Sequence, residues 1–223
     1  MILCIETATK NCSVAIVSDS RVIARSAERA DKFVHGERLH LIVQKCMQSA
    51  GVAFSDIQGV CVGKGPGSYT GLRIGVSAAK GICYAAKLPL YSLPTLGCFD
   101  MSHINVDDVI TVIDARRDEV FAQHWVRNEG VFHKASEVEA LVVTENSWPH
   151  LAKQSVQVIG DAAEKVSQLH VNPHWSYAEN SYPSAKDMAT FLYTSSMVKE
   201  DVAYFEPLYL KDFVALKSTK KLF

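Results

Sequence analysis

The sequence lacks most of the signatures that assign a chemistry at sight. It has no G-x-S-x-G elbow, no H-E-x-x-H pair and no glycine run ending in Gly-Lys-Ser/Thr, which removes the common hydrolase, zinc-peptidase and phosphate-loop patterns. Cysteines 4, 12, 46, 61, 83 and 98 form no C-x-x-C pair and lie among apolar neighbours. They read as small buried hydrophobes rather than metal ligands or a disulfide framework. His170 and His174 have the spacing of helical metal ligands, but Pro173 breaks the helix that would aim them together, so no metal is expected. No stretch approaches the roughly 20 apolar residues of a membrane helix, and the start, Met1 to Glu6, has no basic region before its short apolar run. The expectation is a cytoplasmic protein. An excess of one charge is missing too: 23 Lys and Arg against 24 Asp and Glu leave a net charge of -1, which disfavours a large phosphate-neutralising surface. At 48% hydrophobic and 21% charged the chain is neither disordered nor fibrous, and its 223 residues suit one large domain or two small ones.

What is present is a regular order of short apolar runs. Ile2 to Ile5, Ser13 to Val17 and Arg21 to Ala24 predict three strands joined by tight turns. From Glu37 to Ala50 the apolar residues Leu39, Ile42, Val43, Cys46, Met47 and Ala50 recur every three or four positions, predicting an amphipathic helix stopped by Gly51. Gly59 to Gly63 predicts a buried strand, Thr70 to Ala86 a second helix and Leu88 to Leu93 another strand. The pattern restarts near residue 100. Val109 to Ile113 ends at Asp114 as the first run ends at Glu6, an offset of 108, and strands follow at Val120 to Val126, Val131 to His133 and Val156 to Ile159. Helices are expected near Glu145 to Ala152, from Asp161, where Asp161-x-x-Glu164 is a capping signal, and after Ser184-Ala185-Lys186-Asp187.

Two tandem βββαβα units predict an α/β protein of two lobes, 1–101 carrying the pairing helices and 102–223, with the last segment packing back on the first lobe. Two lobes that each open with a hairpin whose first strand ends in a carboxylate resemble the actin, Hsp70 and sugar-kinase (ASKHA) class of folds. In ATP-binding members a carboxylate-x-Gly turn lets backbone N–H groups approach phosphate. Glu6-Thr7-Ala8 and Asp114-Ala115-Arg116 lack that glycine, so ATP hydrolysis is not expected.

The segment Gly63 to Gly75 lies between a strand and a helix, where free N–H groups favour an anion. Two readings stay open: Gly65, Gly67 and Ser68 contact an anion or nucleotide, or the run is a tight connector with Ser68 or Thr70 capping the helix. The helix that follows leaves a narrow polar stripe of Arg73, Ser77, Lys80, Tyr84 and Lys87 between apolar positions. Ser77, Gly81 and Ala85, spaced by four, admit a close neighbour. With Tyr84 and the first helix's Leu39, Ile42, Val43, Cys46 and Met47 they are the candidate partner-binding residues, ordinary packing within the lobe being the alternative.

Ile2 to Ile16, the run Gly63-Lys64-Gly65-Pro66-Gly67-Ser68-Tyr69-Thr70-Gly71-Leu72-Arg73-Ile74-Gly75, Asp114 to Phe121 and Pro207-Leu208-Tyr209-Leu210 together resemble the TsaB family, also called YeaZ. The likeness spans nearly the whole chain, dense before residue 95 and patchy from 125 to 180. It implies an accessory, non-catalytic subunit needed for threonylcarbamoylation of N6 of the anticodon-adjacent adenosine (t6A) in tRNAs reading codons that begin with A. It further implies pairing through the two N-terminal helices, with the catalytic subunit TsaD or as a homodimer when alone. The ATPase subunit TsaE is a further partner in the assembled complex; tRNA is contacted only indirectly, and no cofactor is implied. TsaD carries a His-x-x-x-His metal motif just after the strand equivalent to Leu88 to Leu93. Here that place holds Pro94-Thr95-Leu96-Gly97-Cys98, which cannot build such a metal site. The competing readings are a free-standing metallopeptidase or nucleotide phosphotransferase of the same fold, and direct tRNA binding through Arg116, Arg117, Lys217, Lys220 and Lys221.

Overall fold

The apolar run at the start of the chain does not alternate because both of its faces are covered. In the computed structural model, which describes residues 1–30, 34–178, 180–194 and 196–211, β1 (Ile2–Glu6) is buried along its whole length in the middle of a six-stranded sheet. It pairs antiparallel with β2 (Asn11–Ser18) and parallel with β4 (Gly59–Gly63); β3 (Arg21–Arg29) extends the sheet beyond β2, and β5 (Leu90–Leu93) beyond β4. Helices α1 (His35–Ala50) and α2 (Tyr69–Ala86) cover one face. Gly51, at φ 66, ends α1 and donates its N–H back to the last turn, as its position in the sequence predicts.

The second half repeats the plan. Strands β6 (Asp108–Asp114), β7 (Glu119–Asn128), β8 (Val131–Lys134), β10 (Val156–Gly160) and β11 (Trp175–Ala178) stand in the order β11-β10-β6-β7-β8, the counterpart of β5-β4-β1-β2-β3. Glu6 and Asp114 end equivalent strands, as the offset of 108 predicts. A further strand, β9 (Glu139–Val142), pairs with the start of β7.

Three expectations need correction. The helix predicted near 145–152 is a single 3-10 turn, Pro149–Leu151, because Trp148 takes a left-handed conformation directly before the proline. The segment after Ser184 is likewise a 3-10 turn, Asp187–Thr190, whose Met188 and Ala189 are used for packing. Asp161 does not cap α3 (Ala163–Leu169): its carboxylate accepts the N–H of Asp114 instead, 2.9 Å away.

The face of the first sheet away from the helices is covered by the second half of the chain, where Ala185, Met188, Ala189 and Leu192 pack on Ile2, Cys4, Ala15 and Val17. The chain then returns to the first sheet as β12 (Val198–Glu200), antiparallel to β5. Phe205 enters the core under the helices, and Lys80 Nζ donates to the carbonyls of Ala203 and Phe205, each at 3.0 Å. Leu208 N–H donates to Lys64 O at 2.7 Å, and Leu210 packs into the core of the second lobe. All six cysteines are buried free thiols; burial pushes Cys83 up to about 11, which removes thiolate reactivity near neutral pH.

Candidate functional site

Glycines 63, 67, 71 and 75 recur every four residues, and each makes room for the turn between β1 and β2. A Cβ at Gly63 would lie 1.9 Å from Glu6 Oε2, at Gly67 2.6 Å from the Ala8 carbonyl oxygen, at Gly71 2.2 Å from the Thr7 carbonyl oxygen and at Gly75 2.1 Å from Thr7 Oγ1. The glycines form a trough and Glu6-Thr7-Ala8 fills it. Hydrogen bonds close the fit: Ser68 N–H donates to Ala8 O at 2.7 Å, and Ser68 Oγ accepts the Gly71 N–H at 3.2 Å, capping α2. Glu6 is fully buried and accepts from Ala8 N–H at 2.7 Å and from the Thr95 hydroxyl at 3.1 Å.

The trough decides how the predicted anion contacts are used. Gly65 N–H donates to Thr95 Oγ1 at 3.1 Å and Ser68 N–H to Ala8, while Gly67 lies against Ala8. The N–H groups of Gly65 and Ser68 are thus engaged within the chain and Gly67 lies against Ala8, which is the connector arrangement. Gly65 has φ 105, and a Cβ there would stand 2.9 Å from Leu208 O, so the returning C-terminal segment also rests on this loop. In the segment where the resemblance places a metal motif in TsaD, Thr95, Leu96, Gly97 and Cys98 are buried packing residues. Among the described residues, no group of three or more His, Cys, Asp or Glu side chains is placed to hold a metal ion.

The equivalent turn of the second lobe is open and polar. Asp114 is exposed; it accepts the Arg116 N–H at 3.0 Å and pairs with Lys165, while Lys211 pairs with Glu119 and reaches the Ala115 carbonyl. Burial pushes Asp161 up to about 6, with the Asp114 N–H and the charges of Lys165 and Lys10 pulling the other way. Lys10 belongs to the first hairpin, which therefore lies close enough for its charge to act on Asp161. Arg116 and Arg117 are exposed at the tip; Lys217, Lys220 and Lys221 lie outside the described residues.

The surface of the two helices divides differently from expectation. Leu39, Ile42, Val43, Cys46 and Met47, read as partner-binding, are at most 6% exposed and belong to the lobe's own core. Helical periodicity marks a covered stripe; here the sheet covers it. Ser77, Gly81, Tyr84 and Ala85 on α2 are exposed, Tyr84 by 84%, and nothing lies within 4 Å of a Cβ placed on Gly81. Lys80 is withdrawn from the predicted polar stripe by its bonds to the C-terminal segment. Beside this face runs an open groove of about 610 Å³, where His40, Gln44 and Phe54 surround the ends of Val43, Met47 and Ile82. Sequence reasoning missed His40, Gln44 and Phe54. An aromatic residue in a short turn directly after an amphipathic helix was the available signal for Phe54, which is 45% exposed.

Comparison with known proteins adds a consistent set of likenesses. The family described as "TsaD: tRNA N6-adenosine threonylcarbamoyltransferase" matches residues 28–217. The tRNA threonylcarbamoyladenosine biosynthesis protein TsaB of Escherichia coli K12 is 30% identical over 242 aligned positions, covering 97% of this chain and 96% of that protein. The protein of the same name from Haemophilus influenzae is 24% identical, covering 97% and 95%. Among solved structures, YeaZ from Pseudomonas aeruginosa superposes with a TM-score of 0.80 at 25% identity, covering 94% of this chain and 99% of that one. A second Pseudomonas aeruginosa structure, described as an uncharacterized protein with similarity to peptidase YeaZ, gives 0.81, also at 25% identity.

The trough makes two measurable statements. Gly71→Ala drives a Cβ into backbone and is expected to destabilise the fold by about 3 kcal/mol or more, whereas Gly81→Ala, in open space mid-helix, is expected to stabilise it by up to about 1 kcal/mol. Denaturant unfolding of the two variants checks this, and equal midpoints would refute the role given to the trough. Glu6 supplies the second statement. Burial lifts its carboxyl to about 7 against its hydrogen bonds, so the fold favours the protonated acid. Its contribution is therefore full below about pH 4.5 and is lost as pH rises through about 7, by roughly 3 kcal/mol at the upper limit. Glu6→Gln should be more stable than the parent at pH 8 and should lack this loss; identical pH profiles for the two proteins would contradict the assignment.

Proposed function

Because the chain belongs to the TsaB proteins of tRNA threonylcarbamoyladenosine biosynthesis, within the family that the threonylcarbamoyltransferase TsaD describes, we propose that it serves this modification as a non-catalytic subunit that docks on TsaD through α2 and the groove beside α1. The observation that carries this reading is the outer face of α2. Ser77, Gly81 and Ala85 leave its backbone bare for close helix approach, next to the exposed Tyr84, Phe54 and Leu41 and an apolar groove. A second copy of the chain fits the same face when TsaD is absent, and TsaE joins the assembled complex. The work is done in the cytoplasm, on tRNAs reading codons that begin with A. The lobes, 1–101 and 102–223, serve as scaffold.

The lobe chemistry supports a supporting role. Glu6, at the place where ATP-binding members of this fold class hold their hydrated metal, is sealed under the trough and bonded to Ala8 and Thr95. Asp114 is tied to Lys165. Neither carboxylate is free to activate water, so the metallopeptidase and phosphotransferase readings lack an acting group here.

Co-expression with TsaD followed by size-exclusion chromatography tests the proposal. The parent chain is expected to co-elute, Gly81→Leu to weaken pairing at least about tenfold by blocking helix approach, and Tyr84→Ala to weaken it less. The t6A content of cells relying on Gly81→Leu should fall with the pairing. Unchanged co-elution of Gly81→Leu would reject the docking surface, and turnover by the isolated protein that is lost on Asp114→Ala would reject the non-catalytic role.

A further inference from the structure

Three hairpin turns of the molecule use left-handed backbone, and one fills it with residues that resist it. Between β2 and β3 the positions are Asp19 and Ser20, at φ 49 and 60; between β7 and β8 they are Glu129 and Gly130, at φ 50 and 81. Each contains a short polar residue or a glycine, which tolerates that conformation. Between β6 and β7 the positions are Arg116 and Arg117, at φ 71 and 53, with no glycine, asparagine or aspartate at either. Backbone strain at an exposed tip that a cheaper residue would relieve points to a use for the side chains.

Both arginines are exposed, and among the described residues neither enters an ion pair. The acids nearest along the hairpin, Asp114 and Glu119, are held by Lys165 and Lys211; Asp118 is exposed at the tip. Lys10 of the first hairpin is also exposed and near enough to Asp161 to act on its charge. The flanking apolar residues, Ala115 and Val120, are buried, so the tip has no hydrophobic centre for a protein interface.

We propose that Arg116 and Arg117 form a contact for the phosphodiester backbone of the RNA substrate at the tip of the β6–β7 hairpin. The inference rests on the reading that the protein serves tRNA modification. Planar guanidinium groups grip phosphate oxygens through paired hydrogen bonds, and such contacts position a nucleic acid without reading its sequence. A chain of net charge -1 holds RNA weakly by itself, measurably at low salt, so the contact orients a tRNA whose main grip is on the catalytic partner. A second copy of the chain is excluded at this tip by like charge.

The test is a fluorescence-anisotropy titration of an unmodified tRNA transcript over a range of salt, with the full chain alone and after co-purification with TsaD. Arg116→Asn/Arg117→Gly suits the turn better and removes both guanidinium groups. Its melting temperature is expected to rise while tRNA affinity falls about tenfold at low salt. The slope of log affinity against log salt is expected to flatten by about 1.4 to 1.8, the loss of two phosphate contacts. Arg116→Lys/Arg117→Lys should keep most of the slope. Equal affinity and slope for parent and variant, or a flat parent titration in both settings, would overturn the proposal. So would displacement of tRNA by polyglutamate at matched charge, which marks an acidic protein site, or by ATP, which marks a nucleotide site. If the parent fails to co-elute with TsaD, the docking proposal falls, while the titration of the chain alone still decides this one.

Discussion

The seating of Glu6-Thr7-Ala8 in a trough of four glycines is the contact on which the first lobe depends. It is a fit by exclusion: a Cβ at 67 or 71 would meet a backbone carbonyl oxygen, and at 63 or 75 the Glu6 carboxyl or the Thr7 hydroxyl, so any other residue type there displaces the hairpin or its side chains. That fit locks the first hairpin to α2 and holds a carboxylic acid in the dry interior. It also fixes which side of α2 faces inward, and so which side is left bare. The feature that in ATP-binding members of this fold class opens towards phosphate has here been converted into a joint.

The two lobes share a strand order but have diverged in what they offer. Among the described residues, the first has two long helices, a sealed hairpin and an apolar groove; the second has one seven-residue helix, 3-10 turns and an open hairpin carrying charge. Duplication therefore gave the molecule an apolar helical groove on one half and an open, charged hairpin on the other rather than two copies of one site. The near-balance of 23 basic and 24 acidic residues conceals this division, because a total says nothing of where the charges stand: Arg116 and Arg117 share one exposed tip.

Strands β1 to β8 and β10, both long helices and the repeat were legible because their signals are local: unbroken apolar runs, a three-four periodicity and a glycine stop; β9 and β11 were not read. The second lobe's helices were over-read. The 145–152 stretch has helical composition, but Trp148-Pro149 forces a turn that composition does not register. β12 was invisible, since Val198-Lys199-Glu200 is three residues of mostly polar edge strand whose only reason to be extended is β5. At the site, the sequence located the glycine run and misjudged its partner. Glycine answers any demand for close approach, and only the fold shows that the approaching atoms are the chain's own. The same ambiguity hides how Leu39, Ile42, Val43, Cys46 and Met47 are used: periodicity says that a stripe is covered and is silent about by what, and while all five belong to the lobe's core, Val43 and Met47 also line the groove.

The returning strand β12 ties the order of synthesis to the order of assembly. The first sheet holds residues 2–6 at its centre and 198–200 at its edge, and its rear face is closed by residues 185–192. A ribosome releasing the chain from its N-terminus has delivered both helices and five of the six strands well before the closing segments emerge. During that interval the β5 edge and the apolar rear face stand open, so the nascent first lobe is an unfinished domain with a sheet edge free to pair. The two halves look separable in topology, yet they mature as one unit, and only when synthesis is nearly complete.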